Sequence, residues 1–211
     1  MSHLVLLFIA TYGAAFAAST LPGLLNIGAA KISAETGKKN AVIYSFGVCT
    51  VILIQALIAV YISKFLYKNP HIIDYLLKAA LVIFAGVAIY YFIHAQKKRP
   101  KKKIEVKDVS KKNSFFKGMF FAVLNLLTIP FYCGLNAAWN VSGWIKFDWQ
   151  DIVTFIVAGA LGTFSILYVY IFYFNKLEMK TNRFSKYSDY IIGSLMLILM
   201  IITFIRIFYN S

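Results

Sequence analysis

Acidic residues are scarce in this chain, and none lies deep within an apolar stretch. Eight Asp and Glu stand against 22 Lys and Arg in 211 residues, a net charge of +14. Glu35, Asp74, Asp148, Asp151, Glu178 and Asp189 fall near the ends of apolar runs or in the links between them. That placement argues against a carboxylate relay at the centre of a bilayer, a device of many proton-driven carriers. Cysteine is equally sparse: Cys49 and Cys133 both sit inside apolar runs, where a buried thiol is the plain reading, silent on redox compartment. His3, His71 and His94 are scattered, and none stands at ligand spacing from a Cys or an acid. We therefore expect no metal site and no cofactor, and find no Gly-rich phosphate loop or nucleophile constellation in the sequence. Lipidation signals are lacking. Met1-Ser2-His3 leads into apolar sequence without a basic n-region, so the first helix is expected to stay in the mature protein.

What the chain has in abundance is apolar sequence. It is 60% hydrophobic and 14% charged, against about 25% charged in a soluble domain. Two charge-free stretches are longer than the ~20 residues that one membrane crossing needs: Leu4–Ala30, 27 residues, and Gly118–Ile145, 28 residues. Each is followed by two shorter runs, Ala41–Ser63 (23) and Ala79–Ala95 (17) in the first half, Ile152–Asn175 (24) and Tyr190–Ile205 (16) in the second. The lengths recur in order, and Asp74-Tyr75 and Asp189-Tyr190 precede the third run of each trio. The pattern predicts an all-α integral membrane protein of six transmembrane helices. They form two three-helix repeats, residues 1–95 and 114–211, joined by a linker over 96–113. An odd number of spans per repeat inverts the second copy.

The basic residues orient it. Seventeen Lys and Arg lie in the links after runs one, three and five, ten of them between Lys97 and Lys117, and five lie on the other side. The positive-inside rule places the seventeen in the cytoplasm and both termini outside, in a plasma (inner) membrane. Such a run between two spans points to anionic lipids at the cytoplasmic face and away from nucleic acid.

Each long stretch contains a proline. Pro22 opens Pro22-Gly23, preceded by Ser19-Thr20 and followed by Asn26; Pro130 follows Asn125 and Thr128 and precedes Asn136 and Asn140. Proline removes an amide hydrogen and clashes with the carbonyl one turn back, and glycine loosens the next step. A simple kink would satisfy this pattern in one helix. Two such breaks, one opening each repeat, point to broken helices whose loosened main chain holds a solute. The candidate substrate-binding residues are Thr20, Pro22, Gly23, Asn26, Gln55, Asn125, Thr128, Pro130 and Asn136. Asn125 and Thr128 are three apart and expected on one face. Gln55, amid aliphatics in run two, needs a partner wherever it lies; it serves as glue between helices or lines the pathway. Thr163, Ser165 and Tyr168 are weaker candidates.

The run Leu21-Pro22-Gly23-Leu24-Leu25-Asn26, with Ala29-Ala30-Lys31 and Glu35-Thr36-Gly37-Lys38-Lys39-Asn40-Ala41 after it, resembles the lysine-exporter (LysE) type translocators. Phe116-Lys117-Gly118 through Leu124-Asn125 to Pro130 resembles the start of their second repeat. Leu24 stands where that family has a second proline, and Asn125 is separated from Pro130 where an Asn-Pro pair is typical. The resemblance covers the whole length and implies export of an amino acid driven by an ion gradient.

The expected function is a non-enzymatic secondary exporter of an amino acid or related small polar solute, coupled to H+ or Na+, with room for a homodimer. Two alternatives are a membrane thiol electron carrier of the DsbD/CcdA type, which needs a cysteine beside each break, and a non-transporting membrane scaffold.

Overall fold

A computed structural model describes residues 3–20, 23–69, 71–96, 111–125 and 127–209. Among these residues every regular element is an α-helix: α1 (His3–Ser19), α2 (Leu24–Thr36), α3 (Lys38–Lys68), α4 (His71–Gln96), α5 (Lys111–Leu124), α6 (Thr128–Val141) and α7 (Trp149–Tyr209). Pro22 and the linker over 97–110 lie outside the described residues.

Among the described residues, three segments are long and apolar enough to cross a membrane: α3, Tyr75–Ile93 of α4 and Trp149–Tyr173 of α7, with mean hydropathies of 2.1 to 2.2. α1 and α2 form a pair bent by 73°, and α5 and α6 a pair bent by 66°; counting each pair as one span raises the total to five. The sixth expected run does not form a separate helix. α7 winds on through the basic link to Tyr209, with a shorter apolar stretch at Met196–Ile205. The local reason is that Lys176–Asp189 contains neither proline nor glycine, so nothing in the link breaks the helical ladder.

The chain packs as two compact units that cut across the repeat boundary, Met1–Phe65 with Glu105–Leu177, and Leu66–Ile104 with Glu178–Ser211. In the second unit the Phe92 ring of α4 lies beside Gly193 of α7. α4 leaves Val82 72% exposed and Ile83 and Ile89 each 60% exposed, a surface suited to hydrocarbon rather than water.

The first unit is built on close helix contacts at small residues. A Cβ on Gly47 of α3 would strike the Phe115 carbonyl of α5, and one on Gly118 of α5 would strike the Tyr44 carbonyl of α3. Only glycine lets two backbones approach this closely, and such contacts drive helix association where lipid removes the hydrophobic incentive. Tyr44, fully buried, fills the space that α2, α3 and α5 share: its hydroxyl donates to the Leu25 carbonyl at 3.4 Å, and its ring stands 6.3 Å from that of Phe121. Tyr132 of α6 plays the same part against α7. Its ring meets Phe155 edge-on at 5.8 Å and lies over Gly159, where any side chain would collide with it.

The same contacts fix chain direction. His3 meets Asp151 and Tyr12 meets Ser165, so α1 runs parallel to the first part of α7, and Ser33 of α2 meets the Ile171 carbonyl. Cys49 reaches the Ala160 carbonyl, while Lys38 lies over Phe172 and Lys64 over Phe147, so α3 runs antiparallel to that part of α7. Gly47 meets Phe115 and Gln55 meets Ala122, so α5 runs parallel to α3. The leading helices of the two bent pairs, α1 and α5, therefore run in opposite directions, and α2 packs against α5.

Candidate functional site

The first break separates Ser19, the last residue of α1, from Leu24, the first of α2. Gly23 is the extended residue that starts α2 (φ −107°, ψ −176°), and its carbonyl accepts the Ile27 amide at 3.0 Å. The end of α1 presents carbonyls with no intrahelical partner, and side chains take them up. The Asn26 amide nitrogen donates to the Ser19 carbonyl at 2.6 Å, and the Tyr170 hydroxyl donates to the Thr20 carbonyl at 2.9 Å. Thr20 turns its own hydroxyl to the Phe16 carbonyl at 3.0 Å. Asn26, 4% exposed, is therefore a clasp across its own break.

The second break is Asn125 to Leu127, between α5 and α6. It lies upstream of Pro130, which is the third residue of α6 and exposed. In the first turn the missing N–H costs nothing, and the clash falls on the carbonyl one turn earlier, at the break itself. Pro130 thus sets the break without standing in it. Asn125 and Thr128 flank the interruption, and the Thr128 amide donates to the Asn125 carbonyl at 3.3 Å.

Gln55 reaches this break from α3. Its Nε2 donates to the Ala122 carbonyl at 3.1 Å, and the same carbonyl accepts the Asn125 amide at 3.1 Å. Gln55 Oε1 is buried and has no hydrogen-bond partner among the described residues. Asn136, further along α6, is fully buried, and neither its Nδ2 nor its Oδ1 has such a partner. Thr128 is also buried. One turn beyond Asn136, the Trp139 indole N–H donates to Thr11 of α1 at 3.1 Å. The breaks thus differ: at the first, the polar groups are spent on one another, while around the second an amide oxygen and a whole carboxamide keep their capacity. A buried amide without a partner costs about 1–3 kcal/mol, and such a group calls for an explanation beyond packing.

Several of these partners escape a reading of the sequence. His3 Nε2 lies 2.7 Å from Asp151 Oδ1, and Asp151 Oδ2 accepts the Lys146 amide at 2.7 Å, with the Asp151 side chain 2% exposed. His3 and Asp151 are 148 positions apart, and no local pattern marks the pair. Tyr170 is one of many aromatics in its run. Of the weaker candidates, Thr163 and Ser165 bond Ser19 and Tyr12 of α1, which makes them contacts between helices. Each cysteine thiol donates to a main-chain carbonyl, Cys49 to Ala160 at 3.6 Å and Cys133 to Ala59 at 3.4 Å. No group of His, Cys and acidic residues among the described residues has the arrangement of a metal site.

These features define an all-helical chain with several apolar, membrane-length helices and two helix breaks, with Gln55, Asn125 and Thr128 at the second and Asn136 about two turns further along α6. No protein-family model matches it, and no curated protein and no solved structure shows significant similarity to it.

Proposed function

We propose that the protein is a secondary membrane transporter that exports an amino acid or a related small polar solute by alternating access. The observation that carries this reading is Asn136, a fully buried carboxamide with no hydrogen-bond partner among the described residues. It stands on the helix that follows the second break, the break to which α3 commits Gln55. A carboxamide donates and accepts, as does Gln55 with its remaining oxygen, and a zwitterionic or amide-bearing solute offers the complementary groups. Asn125 and Thr128 belong to the same binding region. Asn26, Thr20 and Gly23 shape the first break and hold it open.

The opposite running of α1 and α5 supports two inverted three-helix units, with the third span of the second unit drawn from the end of α7. The charge distribution supports a plasma-membrane protein with both termini outside and the basic linker in the cytoplasm. The resemblance to LysE-type translocators supports an amino acid as cargo and H+ or Na+ as coupling ion; a homodimer is the simplest assembly. The cysteines lend the thiol-carrier alternative no support, because their thiols are turned to separate helices.

Uptake of labelled amino acids into inverted vesicles under an imposed proton or sodium gradient tests the proposal. Saturable, gradient-dependent flux that falls in Asn136→Leu is expected. The absence of such flux across a broad panel of amino acids and small amides would discard it.

A further inference from the structure

A second feature lies at the other side of the same unit, where α3 begins. Lys38, Lys39, Val42 and Ile43 of α3, with Phe172 of α7, line an open cleft of about 370 Å³. Its walls are almost wholly apolar, and two lysines contribute to its lining. The Lys38 Nζ lies 4.6 Å above the Phe172 ring, which holds one of the two charges over the cleft through a cation–π contact.

The sequence around the cleft sets its depth. The apolar run of α3 begins at Ala41, just after the lysines, and Phe172 lies near the end of the run Ile152–Asn175. Val42, Ile43 and Phe172 thus sit at the first turn of hydrocarbon, and Lys38 and Lys39 at the headgroup level, where long basic side chains direct their charge outward from apolar stems. An amphiphile fits this division: an anionic head against two ammonium groups, and a chain along valine, isoleucine and phenylalanine. A soluble anion would leave the apolar walls unused, and a zwitterionic lipid would bring a second cation toward the lysines.

We infer that this cleft is a binding site for one anionic glycerophospholipid, its phosphate on Lys38 and Lys39 and its acyl chain on Val42, Ile43 and Phe172. The inference rests on the membrane placement and not on solute export, so it stands or falls apart from the transport reading. Its consequence is that lipid and the α3–α7 contact are linked: a lipid bridging Lys39 and Phe172 favours the arrangement in which these helices meet.

The test uses the full chain purified in neutral detergent, with native mass spectrometry and thermal unfolding in the presence of phosphatidylglycerol, phosphatidylcholine or inorganic phosphate. Phosphatidylglycerol is expected to stay bound as a single adduct and to raise the unfolding midpoint, and the other two are not. K38Q/K39Q should weaken phosphatidylglycerol binding by at least about tenfold, K38R/K39R should retain it, and K101Q/K102Q/K103Q in the linker should leave it unchanged. Equal stabilisation by phosphatidylcholine would overturn the inference. So would a match by inorganic phosphate, an unaltered K38Q/K39Q, or equal loss in the linker variant. Should K38Q/K39Q fail to fold, K39Q and Phe172→Leu measured singly give the same readout, and unaltered adducts in both would overturn it.

Discussion

Replacing Asn136 with leucine sets stability against function in a way that separates the two accounts of this residue. Asn136 is fully buried and its carboxamide has no partner among the described residues. In the resting fold the group is a cost of about 1–3 kcal/mol by the scale of buried, unsatisfied amides in proteins. Leucine has the same branched skeleton of side-chain heavy atoms and no polar atom, so the substitution removes that cost, and the greater bulk of its two methyl groups takes back only part of the gain. At roughly 2–4 °C per kcal/mol for a chain of this size, the unfolding midpoint in detergent should rise by several degrees. Transport should move the other way. Losing two hydrogen bonds of about 1 kcal/mol each to the solute raises the apparent KM by roughly 30-fold. A variant that is more stable and less active is the behaviour of a site residue. If Asn136 were glue between helices, leucine would lower the midpoint and the reasoning would be wrong. A variant with unchanged flux would refute the site assignment as plainly, whatever its stability.

Three further outcomes follow from the packing. Gly47→Ala or Gly118→Ala forces a methyl group into the opposing main chain, which has no side chain to move aside, and should lower stability by at least about 1–3 kcal/mol, read as a lower unfolding midpoint or loss of monodisperse protein; a midpoint equal to wild type would contradict the close approach of α3 and α5. Asp151→Ala strands the Lys146 amide and frees His3 from α7, at a cost of about 1–3 kcal/mol, while Asp151→Asn keeps an acceptor for that amide and should recover part of it, a difference visible in paired melts. Tyr170→Phe removes the donor to the Thr20 carbonyl and should cost about 1 kcal/mol; it should also speed labelling of a cysteine placed at Gly23, and an unchanged labelling rate would show that Tyr170 does not hold the first break.

Much of the architecture was legible in the residues themselves. Charge-free runs of membrane length mark α3, α4 and the first part of α7, because hydrocarbon admits only helices that satisfy their own backbone. The prolines mark both interruptions, and for Pro130 the displacement of the break by one turn follows from where its ring collides. The end of α7 was not legible. The basic link reads as a boundary between spans, but a boundary for the membrane is not one for the helix, and a link without glycine or proline stays wound.

Which stretches are helical, which are apolar and where the backbone is interrupted can be read from the residues alone, since these depend on each residue's own side chain and its neighbours within a turn or two. The tertiary structure alone decided which polar groups were consumed. Asn26 and Asn136 look equivalent as letters, each a lone amide after a proline, yet one is spent on the Ser19 carbonyl and the other keeps both its atoms. Asn26 finds its carbonyl across the bend of its own chain, seven positions back, and the packing around each amide comes from other helices. Tyr170 arrives from α7 to share the first break, whereas Tyr132 and Trp139 pack their rings and indole N–H onto Phe155 and Thr11 and leave the amide between them without a partner among the described residues. Hydrogen bonding reaches only a few ångströms, so its outcome depends on which distant segments the packing brings within that reach.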